Sequence, residues 1–261
     1  MRGWLGVSAL AVATDAISTP TLSGKISDMA NLQQARGVAL SGTLAYVAST
    51  TGLSVVDVSN PAAPARLGTY SSSTYLNQAR QIVVSGQFAY VTAINGNCVT
   101  VLDISNSASP TFVSSLSDST QLSGAYHIEM SGSHAFVAAY YGKRITVIDI
   151  SNPSALTITA SLYSSTELDG AKGLALVGTK LYVTAYNKDM LTIVDVSVLA
   201  SPTVLGSFTH STFLKDPEGV AVSGSYAYVA TKDGIGVVDI SNPAAPRARS
   251  IRLSSSVTFK A

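Results

Sequence analysis

Cysteine, charge and long apolar runs are all scarce in this chain of 261 residues. The single cysteine, Cys98, excludes an intrachain disulfide and every multi-cysteine metal site. It leaves the redox compartment open, because proteins outside the cytoplasm can also lack disulfides. Charged residues make up only 12% and the net charge is +1. The lysines and arginines are scattered, so no basic surface is set against a phosphate backbone and nucleic acid is not an expected partner. Past the N-terminus no apolar run is long enough for a membrane-spanning helix, and no transmembrane segment is expected. Amphipathic helical periodicity is missing too, and no residue pattern calls for a metal or a cofactor. Instead Ser, Thr, Ala, Val and Gly dominate, a composition that suits many short strands and tight turns.

The N-terminus has two readings. Arg2, the apolar stretch Trp4 to Ala13 and the small triplet Ala11-Val12-Ala13 look like a short signal peptide, while the same residues also suit strands of the fold.

Repetition decides the architecture. Asp57, Asp103, Asp149, Asp195 and Asp239 recur at spacings of 46, 46, 46 and 44 residues, each after two aliphatic residues and before Val or Ile and then Ser. In step with them run the turn glycines Gly42, Gly86, Gly132, Gly178 and Gly224, and the aromatics Tyr46, Tyr90, Phe136, Tyr182 and Tyr228. One leucine marks each long connection: Leu32, Leu76, Leu122, Leu168 and Leu214. Complete repeats start near Ala35, Ala79, Ala125, Ala171 and Pro217. Within the first, alternation and turn signals give four strands: RGVAL, LAYVAS, LSVVDVS and ARLGTYS. Four short antiparallel strands in each unit of this length make one propeller blade, so an all-β propeller is expected, one domain over residues 1–261. Residues 20–27 match the fourth strand at an offset of 44 and belong to a blade the other end must complete. The expected solution is a composite sixth blade, with three strands from residues 2–27 and one from the tail VTFKA; a five-bladed ring is the alternative.

The phrases VVDVSNP, VIDISNP, IVDVS and VVDISNP, with AYV or LYV upstream, resemble the LVIVD repeat of propellers found mostly on bacterial and archaeal surfaces. The resemblance covers residues 35–255. It implies the fold and an extracytoplasmic or cell-surface setting, and no shared reaction or ligand.

The repeated Asp needs a hydrogen bond in each copy, and the adjoining Ser-Asn-Pro turn offers the donors. Five equivalent carboxylates on five blades cannot meet, so they are read as structural. Function is sought where the copies differ. From Val47 to Asp57 is ten residues, but the matching interval is twelve in the three middle repeats. Their longer loops, AINGNC, AYYGKR and AYNKDM, form a rim carrying Asn95, Asn97, Tyr140, Tyr141, Lys143, Arg144, Tyr186, Asn187, Lys188 and Asp189. The rim reads either as a surface for a glycan or protein, through exposed tyrosines among polar groups, or as solvated hairpins.

Arg36, Arg80, Tyr126, Lys172 and Glu218 hold one repeat position at the start of the innermost strands and are expected around the channel mouth. They could hold an anion or merely keep the channel hydrated. His127 and Glu129 stand where other copies mostly have Gly and Ala, and read as a proton-transfer pair or as packing partners of each other or of His134. The leading expectation is a non-catalytic interaction or adhesion module for a protein or glycan. A hydrolase or lyase working at the mouth, and a subunit of a larger assembly, are the alternatives.

Overall fold

The computed structural model describes residues 23–28, 30–50 and 52–248. They form five antiparallel four-stranded sheets, each a meander of consecutive strands. The first blade is β1 (Gly37–Ser41), β2 (Leu44–Ser49), β3 (Gly52–Asp57) and β4 (Ala65–Ser71). The second is β5 (Ala79–Ser85), β6 (Phe88–Ala93), β7 (Cys98–Asp103) and β8 (Thr111–Ser117). The third is β9 (Ala125–Ser131), β10 (His134–Ala139), β11 (Arg144–Asp149) and β12 (Thr157–Tyr163). The fourth is β13 (Ala171–Val177), β14 (Lys180–Ala185), β15 (Met190–Asp195) and β16 (Thr203–Thr209). The fifth is β17 (Gly219–Ser223), β18 (Tyr226–Thr231), β19 (Gly234–Asp239) and β20 (Arg247–Ala248). The architecture is the expected propeller, with β1, β5, β9, β13 and β17 as neighbouring inner strands in that order. The expected strands at residues 2–22 and in the tail VTFKA lie outside the described residues.

The repeated aspartate ends its strand by bonding the turn. Asp57, Asp103, Asp149 and Asp195 each accept the N–H of the serine two residues on at 2.8 Å, and Asp239 does so at 3.0 Å. These serine bonds hold all five carboxyls below the ordinary carboxylate range, Asp239 at about 2, where Arg247 adds a further bond. A group with a depressed folded pKa stabilises fully above its unfolded value and loses that contribution as the pH falls through the folded one. Acid unfolding is therefore expected between about pH 4 and pH 2. Replacing Asp239 by Asn should flatten that dependence in a denaturation series across pH.

The turn that follows does a second job. The fourth strands of the first, second and fourth blades lean on the turn that follows the repeated aspartate of the next blade. A Cβ on Gly68 would lie 2.5 Å from the Ser107 carbonyl, and one on Gly206 equally close to Pro243 O. At the same position of the second blade Ser114 Oγ donates to Pro153 O at 2.6 Å. Gly24 sits against Pro61 and Ala62 in the same manner, ahead of the first blade, and its neighbour Asp28 pairs with Arg66 of β4 at 2.7 Å.

Between blades the core is built pairwise. Tyr46, Leu53 and Val55 of the first pack on Ile82, Val91 and Leu102 of the second, and the same pattern recurs at the next three junctions. Leu76, Leu122, Leu168 and Leu214 are fully buried in these four cores. A hydroxyl ties β3, β7, β11 and β15 to the connection ahead of its own blade: Ser54, Thr100 and Thr192 donate to Asn31 O, Tyr75 O and Glu167 O at 3.1, 2.8 and 2.5 Å, and Thr146 donates to Gln121 O. The two end faces differ. Leu32 is only half-buried, and Leu40 on the first blade and Ile235 on the fifth are 70% and 69% exposed, whereas Val99, Ile145 and Leu191, the counterparts of Ile235, are fully covered.

Candidate functional site

Three of the five inner strands open with an irregularity that re-aims one side chain. In β5, β9 and β13 the pairing register with the second strand slips beside Arg80, Tyr126 and Lys172. Bulges of this kind turn an extra residue out of the regular alternation. The structure brings those residues together. The Arg80 guanidinium lies 5.1 Å from the centre of the Tyr126 ring, and the Lys172 ammonium lies 5.3 Å from that centre. Lys172 also stands 4.1 Å over the Tyr186 ring and donates to Glu218 Oε1 at 2.6 Å. Arg36 donates from Nη2 to Gln34 at 3.1 Å and senses Arg80 electrostatically.

The rim joins this cluster. Tyr140 stacks loosely between Tyr126 and Tyr186, at 6.1 and 6.2 Å, and meets Tyr141 edge-on at 5.2 Å. Its hydroxyl donates to Asn187 Oδ1 at 3.1 Å. Two groups of residues that are separate in the sequence thus form one continuous aromatic and cationic surface. No sequence signal announced the join, because it depends on how far a raised loop folds back over the neighbouring inner strand.

Other rim residues hold the blades to each other. Asn97, Lys143 and Asp189 occupy the same left-handed position in their loops, with φ of 48°, 54° and 49°. Asn97 Oδ1 accepts from Gly124 N at 2.7 Å and Asp189 Oδ1 from Asp216 N at 2.9 Å, each on the next connection. Lys143 instead pairs with Asp169 at 2.9 Å, and Lys188 approaches the same carboxylate at 3.9 Å. These cations and the Asn187 amide hold the Asp169 carboxyl below its usual range against the opposing effect of burial. Arg144 lies over the Tyr163 ring at 4.8 Å, and Asn95 is exposed. Tyr186, Asn187 and Lys188 form one turn of 3₁₀ helix, the one helical turn among the described residues.

Deeper in the channel His127 and Glu129 lie 3.6 Å apart, both partly exposed. Leu174 N donates to His127 Nδ1 at 3.4 Å, which puts the ring proton on Nε2, the nitrogen facing Glu129. Gln81 Nε2 is 3.5 Å from that same nitrogen. His134 bonds Ser133 at 3.1 Å and takes no part in this group. Cys98 is buried and donates to Tyr75 O at 3.4 Å; burial pushes its thiol up, away from thiolate chemistry. Among the described residues no three His, Cys, Asp or Glu side chains gather as a metal site, and no helix is long and apolar enough to cross a membrane. A concavity of about 400 Å³ lined by Thr50, Ser71, Ser72, Ser73 and Asn77 shares no residue with the mouth.

The Lys172–Glu218 pair makes an asymmetric prediction. Lys172 is 8% exposed, whereas the Glu218 side chain is 47% exposed. Removing the carboxylate strands a covered ammonium; removing the ammonium leaves a carboxylate that water can reach. Glu218→Gln is expected to cost about 1–2 kcal/mol, discounted for that exposure, and Lys172→Met about half as much or less. Urea denaturation of both variants measures the difference.

Blade period, repeated turn chemistry and pairwise cores agree with one family, whose pattern matches residues 33–72, 77–118, 124–163, 170–210 and 216–251. The chain belongs to the LVIVD repeat family. Among solved structures, this LVIVD protein is similar to the periplasmic gluconolactonase PpgL of Pseudomonas aeruginosa at 16% identity, covering 78% of this chain and 66% of that one with a TM-score of 0.67. A protein from Lactobacillus plantarum aligns at 14% identity over 83% of this chain and 70% of its own, with a TM-score of 0.71. PorZ, a surface component of the type-IX secretion system of Porphyromonas gingivalis, aligns at 16% identity over 82% and 26%, with a TM-score of 0.52. At such identities the likeness is one of fold, and the LVIVD chain spans only about two thirds of the gluconolactonase. No curated protein matches it.

Proposed function

We propose that this chain is a non-catalytic propeller module that binds a glycan, or a protein in its place, through the face bearing the raised loops. The observation that carries the reading is the Tyr140 ring, which links the mouth to the rim and leaves Tyr141 59% exposed beside it. Tyrosines offer a flat apolar face with a polar edge, the combination that a sugar ring or a protein surface takes up. A glycan array with the wild-type chain and with the triple substitution of Tyr140, Tyr141 and Tyr186 to Ala tests it. Binding to a defined glycan set, lost in a triple variant that circular dichroism shows to be folded, is the expected result. Signals that survive the substitutions would refute the rim.

The module is read as one domain over residues 1–261, closed by a composite sixth blade. Support comes from Gly24 and Asp28, which hold the place of a preceding fourth strand against Pro61, Ala62 and Arg66. The uncovered Leu40 and Ile235 faces fit a blade between them. A setting outside the cytoplasm is part of the same proposal, supported by the periplasmic and surface settings of two proteins of like fold. Offering those two faces to a partner chain would make the protein an assembly subunit, which sizing in solution distinguishes.

A second reading, a hydrolase or lyase, is favoured by the His127–Glu129 contact in the channel. Turnover of a lactone or glycoside that is abolished by His127→Gln would establish it.

A further inference from the structure

The charges at the mouth are not equally satisfied. Lys172 has a carboxylate at 2.6 Å and two aromatic rings, so its ammonium is complete, and Glu218 is committed to it. Asp169 is committed to Lys143 and Asn187, both at 2.9 Å. Glu129 lies beside His127. Arg80 and Arg36 have no such partner. Arg80 lies against the Tyr126 ring and feels Tyr141 and the Glu218 carboxylate only electrostatically, and its Nε is buried without an acceptor among the described residues. Arg36 uses one Nη on Gln34, and its Nε is likewise buried and without an acceptor. Burial holds the Arg80 guanidinium below its ordinary value; Tyr126 opposes that shift and neighbouring Arg36 adds to it. Unmet buried donors on charged groups are costly, and guanidinium edges are shaped for the two oxygens of a carboxylate.

We propose that Arg36 and Arg80 form an acid-group pocket, taking the carboxylate of a uronic-acid residue whose sugar ring lies on Tyr140. The assignment rests on the reading of the rim as a ligand-binding face and adds the chemical class of the ligand. Arg80 and Tyr140 lie 5.1 and 6.1 Å from the centre of the same Tyr126 ring, and the proposal lays one sugar residue across both. The aromatic cluster of Tyr126, Tyr140, Tyr141 and Tyr186 favours a saccharide over an acidic peptide, whose carboxylates would need cations and no platform.

Isothermal titration of the full chain with tetrasaccharides of galacturonate, glucuronate and mannuronate, each beside its carboxyl-reduced neutral counterpart, provides the test. At least one uronate should bind about tenfold or more tightly than its reduced form. Arg80→Gln should bring the two to the same affinity without shifting the thermal midpoint, and Tyr140→Ala should weaken both alike. Equal binding of acid and neutral forms, or a preference that survives Arg80→Gln, overturns the acid pocket and leaves the rim reading intact. A sulfated tetrasaccharide or an acidic peptide that outcompetes every uronate also overturns it. Binding by none of the tetrasaccharides overturns it as well, and the glycan array then decides the rim separately.

Discussion

Leu122→Ala is expected to lower stability by about 3–5 kcal/mol, and Leu32→Ala by roughly 1 kcal/mol, although the two leucines hold the same repeat position. Leu122 is fully enclosed between the second and third blades, among Val99, Val101, Ile128 and Ile148. Truncation there removes apolar contact and leaves a cavity that two sheets cannot close, because the turn contact between them fixes the spacing. Leu32 is half-buried at the first blade's uncovered face, where water already reaches part of the side chain. Urea denaturation of both variants reads the difference. Equal losses would mean that the first blade is covered in solution as fully as the others.

Gly124→Val should cost about 3 kcal/mol and displace the rim as well. Gly124 has φ of +71°, and a Cβ there would lie 2.6 Å from Tyr141 Cδ2 and 2.9 Å from Tyr141 N. The left-handed conformation alone does not demand glycine, since the equivalent Gln78 has φ of 58° and Asp216 has 48°. What demands it is Tyr141, whose ring and backbone occupy the space a Cβ would need. A branched side chain adds strain in that backbone region and pushes on the loop's own backbone. Binding of any ligand taken up on Tyr140 should therefore fall more steeply than stability. A Gly124→Gln variant, borrowing the residue at 78, should fall between the two.

The five four-stranded repeats and the role of the repeated aspartate were legible in the sequence because each rests on local chemistry. The strand LSVVDVS ends at Asp57 in the structure, two residues short of the quoted phrase, because the carboxylate turns back to bond Ser59 N. The opening irregularity of three inner strands was not legible, since Arg80, Tyr126 and Lys172 share a position but no residue type. Nor was the division of labour along the rim. Asn97 and Asp189 look like free polar groups until the next connection is placed beside them, where each is an acceptor for a backbone N–H. The contact of Tyr140 with Tyr126 depends on two elements one hairpin apart, and periodicity carries no information about how far a loop leans.

The lean of these fourth strands on the turn of the following blade has a mechanical consequence. Gly68 meets Ser107 and Ala108, and Gly206 meets Pro243 and Ala244, so every such contact is made forward along the chain and reaches one neighbour only. Cohesion in such an array passes hand to hand, as in a row of tiles each lapped over the next. The third blade is gripped from both sides by its described neighbours, so amide exchange should run slowest there.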